Sequence, residues 1–325
     1  MSRKSLFLLS LGGIAAFLAY RLSGWDFDWS LFLSSLSNMQ PGWIVASIIL
    51  TFLTYVFRAS RWQVLLKPLK GIRIGPLISA NVVGFSAIFI LGRAGELIRP
   101  LWITRREQIS LTSSVATIIV ERVLDSLMLI VLFGLSLLLV QLPPATNAIL
   151  ATMKNAAWLM VLGSVAAIVF LFFFRSNIDR IVGYVPFVRA ASLLRKFSEG
   201  LSFLQRGSSL ALAVAHSVAV WITIVLQFWF MMLGMNIHFS LEAATLVLVG
   251  AAIGSVAQIP GIGGGFQAGY VFFMTTFFGV PPEQAIATSL AAWVLSNVPT
   301  TAVAALYMLS HGLSLKDLRT ATATE

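Results

Sequence analysis

The sequence predicts an all-α polytopic membrane protein, and three observations carry that prediction. Of 325 residues, 58% are hydrophobic and 10% are charged, whereas a soluble domain carries roughly 25% charged residues. The mean hydropathy is +0.91. Several apolar stretches approach the ~20 residues that a helix needs to cross a bilayer. These features exclude a soluble enzyme, a secreted disulfide-bonded domain and a disordered chain.

The apolar stretches define the elements in order. They lie at about 5–22, 42–62, 76–91, 111–141, 156–174, 209–235, 243–258, 266–279 and 285–310. The first follows Arg3 and Lys4 and resembles a signal peptide, but no small-x-small cleavage pattern follows it. We therefore expect a retained first span. The aromatic residues of 23–40 predict an amphipathic segment that lies at the membrane interface.

The distribution of basic residues predicts the orientation. Four segments hold 19 of the 22 lysines and arginines: the N-terminus, 58–106, 175–207 and the C-terminus. Lysine and arginine collect in cytoplasmic segments, so both termini are predicted to be cytoplasmic. The net charge of +10 then follows from topology rather than from nucleic-acid binding.

Two apolar stretches, 76–91 and 266–279, are short and are flanked by glycines. Basic residues on both sides of the first require that it enter and leave on the cytoplasmic face, whereas 243–258 and 266–279 leave and return on the outer face. We therefore predict about six full transmembrane helices plus two broken or re-entrant hairpins. Hairpins from opposite faces are typical of inverted-repeat transporters, which is a hypothesis here because no sequence repeat is evident.

The whole chain, 1–325, is predicted to form one integral membrane domain. Within it, 1–40 form the first span and the interfacial segment, 41–310 form the core and 311–325 form a cytoplasmic tail. The loop 175–207 mixes six basic residues with apolar ones. We expect it to lie on the inner leaflet, where each basic residue adds ~1 kcal/mol of attraction to anionic lipid.

The first candidate site residues are Arg58 and Arg61, which precede Trp62 at the cytoplasmic end of the second span. Arginines three residues apart share one helix face and can grip phosphate oxygens with bidentate hydrogen bonds. The alternative is a positive cap, in which the arginines extend to the interface beside the tryptophan.

The next candidates, Arg93, Glu96 and Arg99, lie in the glycine-bearing segment 92–100. Glu96 and Arg99 can pair if this segment is helical. Irregular backbone at membrane depth is tolerated only where protein or a wet cavity surrounds it. The segment therefore predicts either a structural hairpin or a polar substrate cavity.

Glu121, Arg122 and Asp125 interrupt an apolar stretch of about 30 residues. The two carboxylates share a helix face, and Arg122 can pair with Asp125. Ionisable residues near the centre of a membrane helix cost ~2.5–3.5 kcal/mol each and point to function. The alternative places them near the cytoplasmic boundary, where both the cost and the inference are smaller.

A glycine-rich segment separates the arms of the second hairpin. Its candidate residues are Gln258, Pro260, Gly261, Gly263, Gly264, Gly265 and Gln267. It is neither a P-loop nor a dinucleotide fingerprint, because no Lys-Ser/Thr follows and Phe266 occupies the third glycine position. It breaks a helix and frees amides at the start of the next one, which suits an anion. The alternative is a break that packing alone requires.

Four motifs in this order resemble the lysylphosphatidylglycerol synthase transmembrane-region family of flippase-like membrane proteins. They are Arg-x-x-Arg-Trp-x-x-Leu-Leu (58–66), Gly-Arg-Ala-Gly-Glu-Leu-x-Arg (92–99), Ser-x7-Glu-Arg-x-x-Asp (113–125) and Ile-Pro-Gly-x-Gly-Gly-Gly (259–265). The resemblance covers roughly 40–310. It implies a helical lipid-handling domain in a bacterial or archaeal cytoplasmic (inner) membrane.

The resemblance also implies which residues matter. Those that match the family's polar positions are Arg61, Arg93, Glu96, Arg99, Glu121, Arg122 and Asp125. The chain departs from the family at Gln267, which stands nearest the place where many members carry a glutamate. We expect neither the soluble aminoacyltransferase domain of the synthases nor aminoacyl-tRNA chemistry.

The sequence therefore predicts a flippase-like transporter of an anionic or glycosylated lipid, whose headgroup phosphate is held by the arginines. The alternative is a scaffold subunit for a lipid-modifying or glycosyltransferase enzyme, docked through 175–207. A third hypothesis is an intramembrane enzyme with Glu121 or Asp125 as base. The three histidines have no ligand spacing and no nucleophile is evident, so neither catalysis, a metal nor a cofactor is expected.

Overall fold

The computed structural model describes residues 27–142, 147–205, 207–259 and 263–310. Within these ranges helices are joined by short connections, and the only strands are one pair of two residues each. This confirms the predicted fold class. The predicted first span at 5–22 and the predicted tail at 311–325 lie outside the described residues.

Twelve α-helices follow one another in the described part of the chain. They are α1 (Trp29–Ser37), α2 (Pro41–Leu66), α3 (Ile74–Leu91), α4 (Ile98–Glu107), α5 (Leu111–Leu139), α6 (Asn147–Ser176), α7 (Ile178–Gly183), α8 (Val188–Gly200), α9 (Gly207–Gly234), α10 (Leu241–Gly254), α11 (Gly265–Phe278) and α12 (Pro282–Ser310). Three 3₁₀ turns occupy Gly92–Leu97, Ser202–Gln205 and Ser255–Ala257, and the strands are β1 (Gln258–Ile259) and β2 (Gly263–Gly264).

Five described helices are long and apolar enough to cross a membrane: α2, α3, α5, α9 and α12. Four of them are full spans of the prediction. A fifth predicted span corresponds to α6, which has 30 residues. Of the five long apolar helices, α3 is the one that was not predicted as a full span. It has 18 residues and forms the first arm of the predicted cytoplasmic hairpin. The interfacial segment contains α1, which packs against α12 and leaves Trp29 exposed.

Polar side chains mark where several helices begin. Asp28 accepts a hydrogen bond from the Leu31 amide at 2.9 Å and so caps α1, and Pro41 occupies the first turn of α2, where its missing N–H costs nothing. Ser240 caps α10 through the Ala243 amide. These caps satisfy amides that no helical carbonyl can reach.

The centre of the fold is the antiparallel pair α2 and α9. The Gln40 amide donates to the Gly234 carbonyl at 2.8 Å, and Thr54 donates to Thr223 at 3.1 Å midway along the helices. The beginning of α2 and the end of α9 therefore lie at the same face of the membrane. We call this the α9-end face, and the opposite one, where α2 ends, the α2-end face.

The first hairpin consists of α3, the turn Gly92–Leu97 and α4. Gly92 has a φ of +63°, a conformation that glycine adopts without steric cost. At the open end of the hairpin, Lys70 Nζ lies 2.7 Å from the Glu107 carbonyl and 3.0 Å from its carboxylate. Both ends therefore emerge at the α2-end face, as the charge distribution predicted.

The second hairpin consists of α10 and α11, which have 14 residues each. At 1.5 Å per residue each arm is ~21 Å long, shorter than the ~30 Å hydrocarbon core. The Phe239 and Phe278 rings lie 4.6 Å apart at its open end, where Trp229 of α9 donates to the Phe239 carbonyl. This hairpin therefore opens at the α9-end face.

Glycines at four-residue spacing hold the arms of the second hairpin together. A Cβ on Gly254 would lie 2.1 Å from the Gly265 carbonyl oxygen, and one on Gly269 would lie 2.2 Å from the Gly250 oxygen. The two backbones can approach this closely only because glycine has no side chain. Small residues allow the same close approach between other membrane helices. The β1 strand at the tip contacts the Gly92–Leu97 turn, so the two opposed hairpins meet at their tips.

The loop 175–207 is folded into α7, α8 and a 3₁₀ turn. The α8 helix packs on the start of α5, where Ser113 donates to the Lys196 carbonyl at 2.6 Å. Gly200 sits against the same segment, because a Cβ there would lie 2.3 Å from the Ser113 carbonyl oxygen. The loop is therefore an ordered structure fixed to the α2-end face.

Candidate functional site

Two carboxylates on α5 form the centre of the site. Glu121 is 0% exposed and Asp125, one turn later, is 9% exposed. Asp125 is at the midpoint of the helix Leu111–Leu139. A charge buried at this depth requires partners, and the neighbouring helices supply them.

Arg61 of α2 bridges the two carboxylates. Its Nη1 lies 2.7 Å from Asp125 Oδ1 and its Nη2 lies 3.4 Å from Oδ2, while Nε lies 3.5 Å from Glu121 Oε1. Nη1 also donates to Ser217 of α9 at 3.2 Å. One turn earlier, Arg58 Nη1 lies 3.7 Å from Asp125 Oδ2. The two arginines therefore share a face, as their spacing predicted.

Arg99, at the start of α4, brings the first hairpin to the same site. Its Nη1 lies 2.7 Å from Glu121 Oε2, and the residue is 3% exposed. Gly84 of α3 makes room for it, because a Cβ there would lie 2.8 Å from Arg99 Cγ. Arg122 completes the group, with Nη2 at 3.8 Å from Asp125 Oδ2.

Aromatic rings line the arginines. Arg99 lies over the Trp62 ring at 4.3 Å, and Arg58 lies over the Phe85 ring at 4.7 Å. Trp62 is fixed by a 2.9 Å hydrogen bond from its indole to Thr117. Trp221 donates to Asp125 Oδ1 at 3.3 Å. Ring faces attract guanidinium groups, so these side chains hold the cations without neutralising them.

The charges of this group do not balance. The arginine–carboxylate cluster, as we call Arg58, Arg61, Arg99, Glu121, Arg122 and Asp125, has four guanidinium groups and two carboxylates. Among the described residues, Arg99 Nε, Arg99 Nη2 and Arg122 Nε are buried without a hydrogen-bond acceptor. The two Glu121 oxygens also lack a hydrogen bond, but both lie in ion-pair contact with Arg61 or Arg99. A buried donor without an acceptor costs about 1–3 kcal/mol, and more when it is charged. The cluster can therefore take up an anion with several acceptor oxygens.

The structure brings together six of the eight residues that the sequence selected as a headgroup site. Arg99 is paired with Glu121. The alternative pairing with Glu96 depended on a helical segment, and Glu96 lies half-buried in the Gly92–Leu97 turn. Arg93 belongs to the same turn, but its side chain lies outside the described residues. The alternative of an interfacial cap is wrong for Arg61 and Trp62, because both are 0% exposed.

The glycine-rich segment breaks the helix as predicted. Gln258 pairs with Gly264 and Ile259 with Gly263, and Gly264 has a φ of +79°. Pro260 and Gly261 lie outside the described residues. In the first turn of α11, Gln267 is half-buried, and both polar atoms of its side chain are buried without a hydrogen-bond partner in the described part of the chain. An anion site at this turn stays a prediction.

Sequence reasoning missed Phe85, Ser217 and Trp221. Each lies in a stretch that reads as uniformly apolar or small, so no local pattern separates it from lipid-facing neighbours. It also missed the two glycine pairs of the second hairpin, for which a signal exists: Gly250 and Gly254, and likewise Gly265 and Gly269, have the Gly-x-x-x-Gly spacing of packed membrane helices.

Fold and site define a polytopic helical membrane protein in which two opposed broken-helix hairpins meet beside a buried arginine–carboxylate cluster. The family model described as the lysylphosphatidylglycerol synthase TM region matches residues 7–304, and the chain belongs to this family. It is 22% identical over 299 residues to a UPF0104 membrane protein of Methanocaldococcus jannaschii, covering 84% of this chain and 86% of that protein. No solved structure matches the chain.

Proposed function

We propose that the protein is a flippase-like transporter that moves an anionic or glycosylated lipid across the cytoplasmic membrane. The observation that carries the proposal is the excess of guanidinium groups over carboxylates in the cluster, with buried donor atoms on Arg99 and Arg122 that lack acceptors among the described residues. Membership of a family of flippase-like domains supports the same function.

A lipid phosphate has the chemistry that the cluster lacks. It brings negative charge and several acceptor oxygens, and arginine binds such groups with two parallel hydrogen bonds. Because the cluster is inside the membrane, these bonds are stronger than the same contacts in water. The phosphate of a glycosylated phospholipid meets the same requirement, since its sugar lies beyond the phosphate.

The hairpins supply the means of movement in this proposal. Arg99 belongs to α4, while its partner Glu121 belongs to the long helix α5. A shift of the first hairpin relative to α5 would exchange the Arg99–Glu121 contact for a contact between Arg99 and phosphate. Transporters place broken helices at such central sites. The lipid tails stay in hydrocarbon throughout.

Reconstitution into liposomes tests the proposal directly. The assay measures transbilayer movement of fluorescent phosphatidylglycerol and of a fluorescent glycolipid. We expect movement above that of empty vesicles, and loss of at least about tenfold in Arg99→Gln, since removing one charge-assisted contact costs ~1.5–3 kcal/mol. Arg195→Gln, on the exposed face of α8, serves as the control. Movement equal to empty vesicles for both lipids would contradict the proposal.

A second candidate function, a scaffold for a cytoplasmic enzyme, is favoured by the surface of the 175–207 loop. Tyr184, Phe187 and Val188 are 84%, 73% and 85% exposed. Arg189 follows Val188 directly, and Arg180 lies four residues before Tyr184. If this surface docks a lipid-modifying or glycosyltransferase enzyme, the enzyme co-purifies with the protein and is lost in Arg180→Glu/Arg189→Glu. Arg105→Glu on α4 is the matched control.

A further inference from the structure

A membrane-facing groove runs along α5 and α9 away from the arginine–carboxylate cluster. It has a volume of about 440 Å³, and its walls include Val131 and Leu135 of α5 and Ile222 and Val225 of α9. Val131, Leu135 and Ile222 are 50%, 50% and 54% exposed. The first residues of α10 close its far end, at the α9-end face.

The polar groups of the groove are already used. The Ser136 hydroxyl donates to the Leu132 carbonyl and the Thr245 hydroxyl to the Leu241 carbonyl. The Trp221 indole donates to Asp125. Only Glu242, at the far rim, brings a charge. Between the two ends the walls offer hydrocarbon alone, which suits a hydrocarbon chain.

The near end of the groove adjoins the cluster. Trp221 lines the groove and is hydrogen-bonded to Asp125, and Met128, which also lines it, lies one turn beyond Asp125 on α5. From Met128 to Leu139, α5 rises ~17 Å at 1.5 Å per residue, close to the ~15 Å that one leaflet contributes to the hydrocarbon core. A single acyl chain therefore fits the length of the groove.

We infer that the groove is the acyl-chain subsite for the lipid whose phosphate occupies the cluster; this inference rests on the proposed function. In the orientation predicted from the basic residues, α5 begins at the cytoplasmic face, so the groove lies in the outer half of the membrane. An inner-leaflet lipid points its chains outward. Raising its phosphate to the cluster moves one chain into the groove without turning the lipid over.

Photocrosslinking tests this placement in the protein reconstituted into liposomes. The probe is phosphatidylglycerol with a diazirine near the end of one acyl chain. We expect labelled peptides to come mainly from 128–139 and 218–226, and labelling there to fall about tenfold in Ile222→Trp, whose larger side chain fills the groove. Leu138→Trp is the control, because Leu138 of α5 is 83% exposed close to the groove but does not line it.

Two further measurements separate the groove from the cluster. Binding of water-soluble glycerol 3-phosphate is expected to be unchanged in Ile222→Trp, because the groove wall at Ile222 is apolar. It is expected to weaken about tenfold in Arg99→Gln, which removes one charge-assisted contact of the cluster. Groove labelling that disappears in Arg99→Gln supports the link between the two. Labelling that persists there, or that is spread evenly over all lipid-facing helices, overturns the inference.

The proposed function fails in a different way. If wild-type protein does not bind glycerol 3-phosphate and moves no lipid, the cluster is not a phosphate site. The assignment of the groove to an acyl chain of the same lipid then fails as well. If phosphate binding and transport are normal while Ile222→Trp and Leu138→Trp label alike, only the chain subsite is wrong. A second variant that fills the groove, Leu135→Trp, is tested in parallel with Ile222→Trp. Size-exclusion chromatography checks that both variants are folded.

Discussion

Asp125 is the residue on which the cluster depends most. Arg58, Arg61 and Arg122 are paired with it, and Trp221 donates to it. The polar side chains that α2, α4 and α9 bring to the cluster include Arg61, Arg99 and Trp221, each of which has Asp125 or Glu121 as a partner. The carboxylates therefore serve first to keep several cations together at membrane depth, and the surplus of cations is what remains available to a ligand.

Asp125→Asn is expected to destabilise the fold. The substitution keeps the size of the side chain but leaves Arg61 with Glu121 as its remaining anion, and breaking a buried ion pair costs about 3–5 kcal/mol. Thermal unfolding in detergent measures the effect. Asp179→Asn is the control, because the Asp179 side chain is 86% exposed and exposed substitutions change stability by about 0.5 kcal/mol or less. Equal shifts for both variants would contradict a structural role for Asp125.

Phe85→Leu is expected to weaken phosphate binding with little loss of stability. The change removes the ring face over which Arg58 lies at 4.7 Å while keeping an apolar side chain. A cation–π contact is worth about 0.5–2 kcal/mol, so the dissociation constant for glycerol 3-phosphate should rise a few-fold. Phe85→Trp should retain tight binding, and an unchanged constant in Phe85→Leu would exclude a role for the ring.

At the scale of elements, the second hairpin depends on the absence of side chains where α10 meets α11. The oxygen of Gly265 occupies the space where a Cβ on Gly254 would stand. Substitution requires the arms to separate, and the displacement would reach the tip where β1 contacts the first hairpin. Packing within one hairpin is thus coupled to the position of the other.

Gly254→Ala is therefore expected to lower the thermal midpoint and to increase proteolysis between the hairpin arms. Overpacking of this kind costs about 1–3 kcal/mol. Gly134→Ala on α5 is the matched control, since nothing lies within 4 Å of a Cβ there and alanine is a better helix former than glycine by about 1 kcal/mol. A neutral Gly254→Ala would show that the arms separate without cost.

Sequence and structure agree best where one helix carries the information. The spacing of Glu121 and Asp125 predicted a shared face, and the basic residues around 76–91 predicted a chain that returns to its starting face. The pairing of Arg99 with Glu121 instead of Glu96 was out of reach, because it depends on how α4 packs against α5. Phe85, Ser217 and Trp221 were missed for the same reason: their roles arise only from contacts between helices.

For the whole molecule, the orientation in the membrane is the prediction on which transport direction depends. Since the chain has no cysteine, single cysteines report orientation without background. Ser37→Cys, at the end of α1 and four residues before α2, is expected to react with an impermeant maleimide in intact cells. Lys67→Cys, just after α2, should react only in inside-out vesicles. The reverse pattern would invert the molecule and assign the groove to the cytoplasmic half.

The ion pairs that join α2 to later helices have a consequence for biogenesis. Arg61 is synthesised 64 residues before Asp125 and 156 residues before Ser217. When α2 leaves the ribosome, the two cationic side chains at its C-terminal end have no counter-ion, and a cation within the bilayer is costly. The end of α2 can therefore settle to its final depth only after α5 has arrived. The insertion of α2 is thus coupled to that of α5, which is synthesised later. The cluster forms only when both helices are in the membrane.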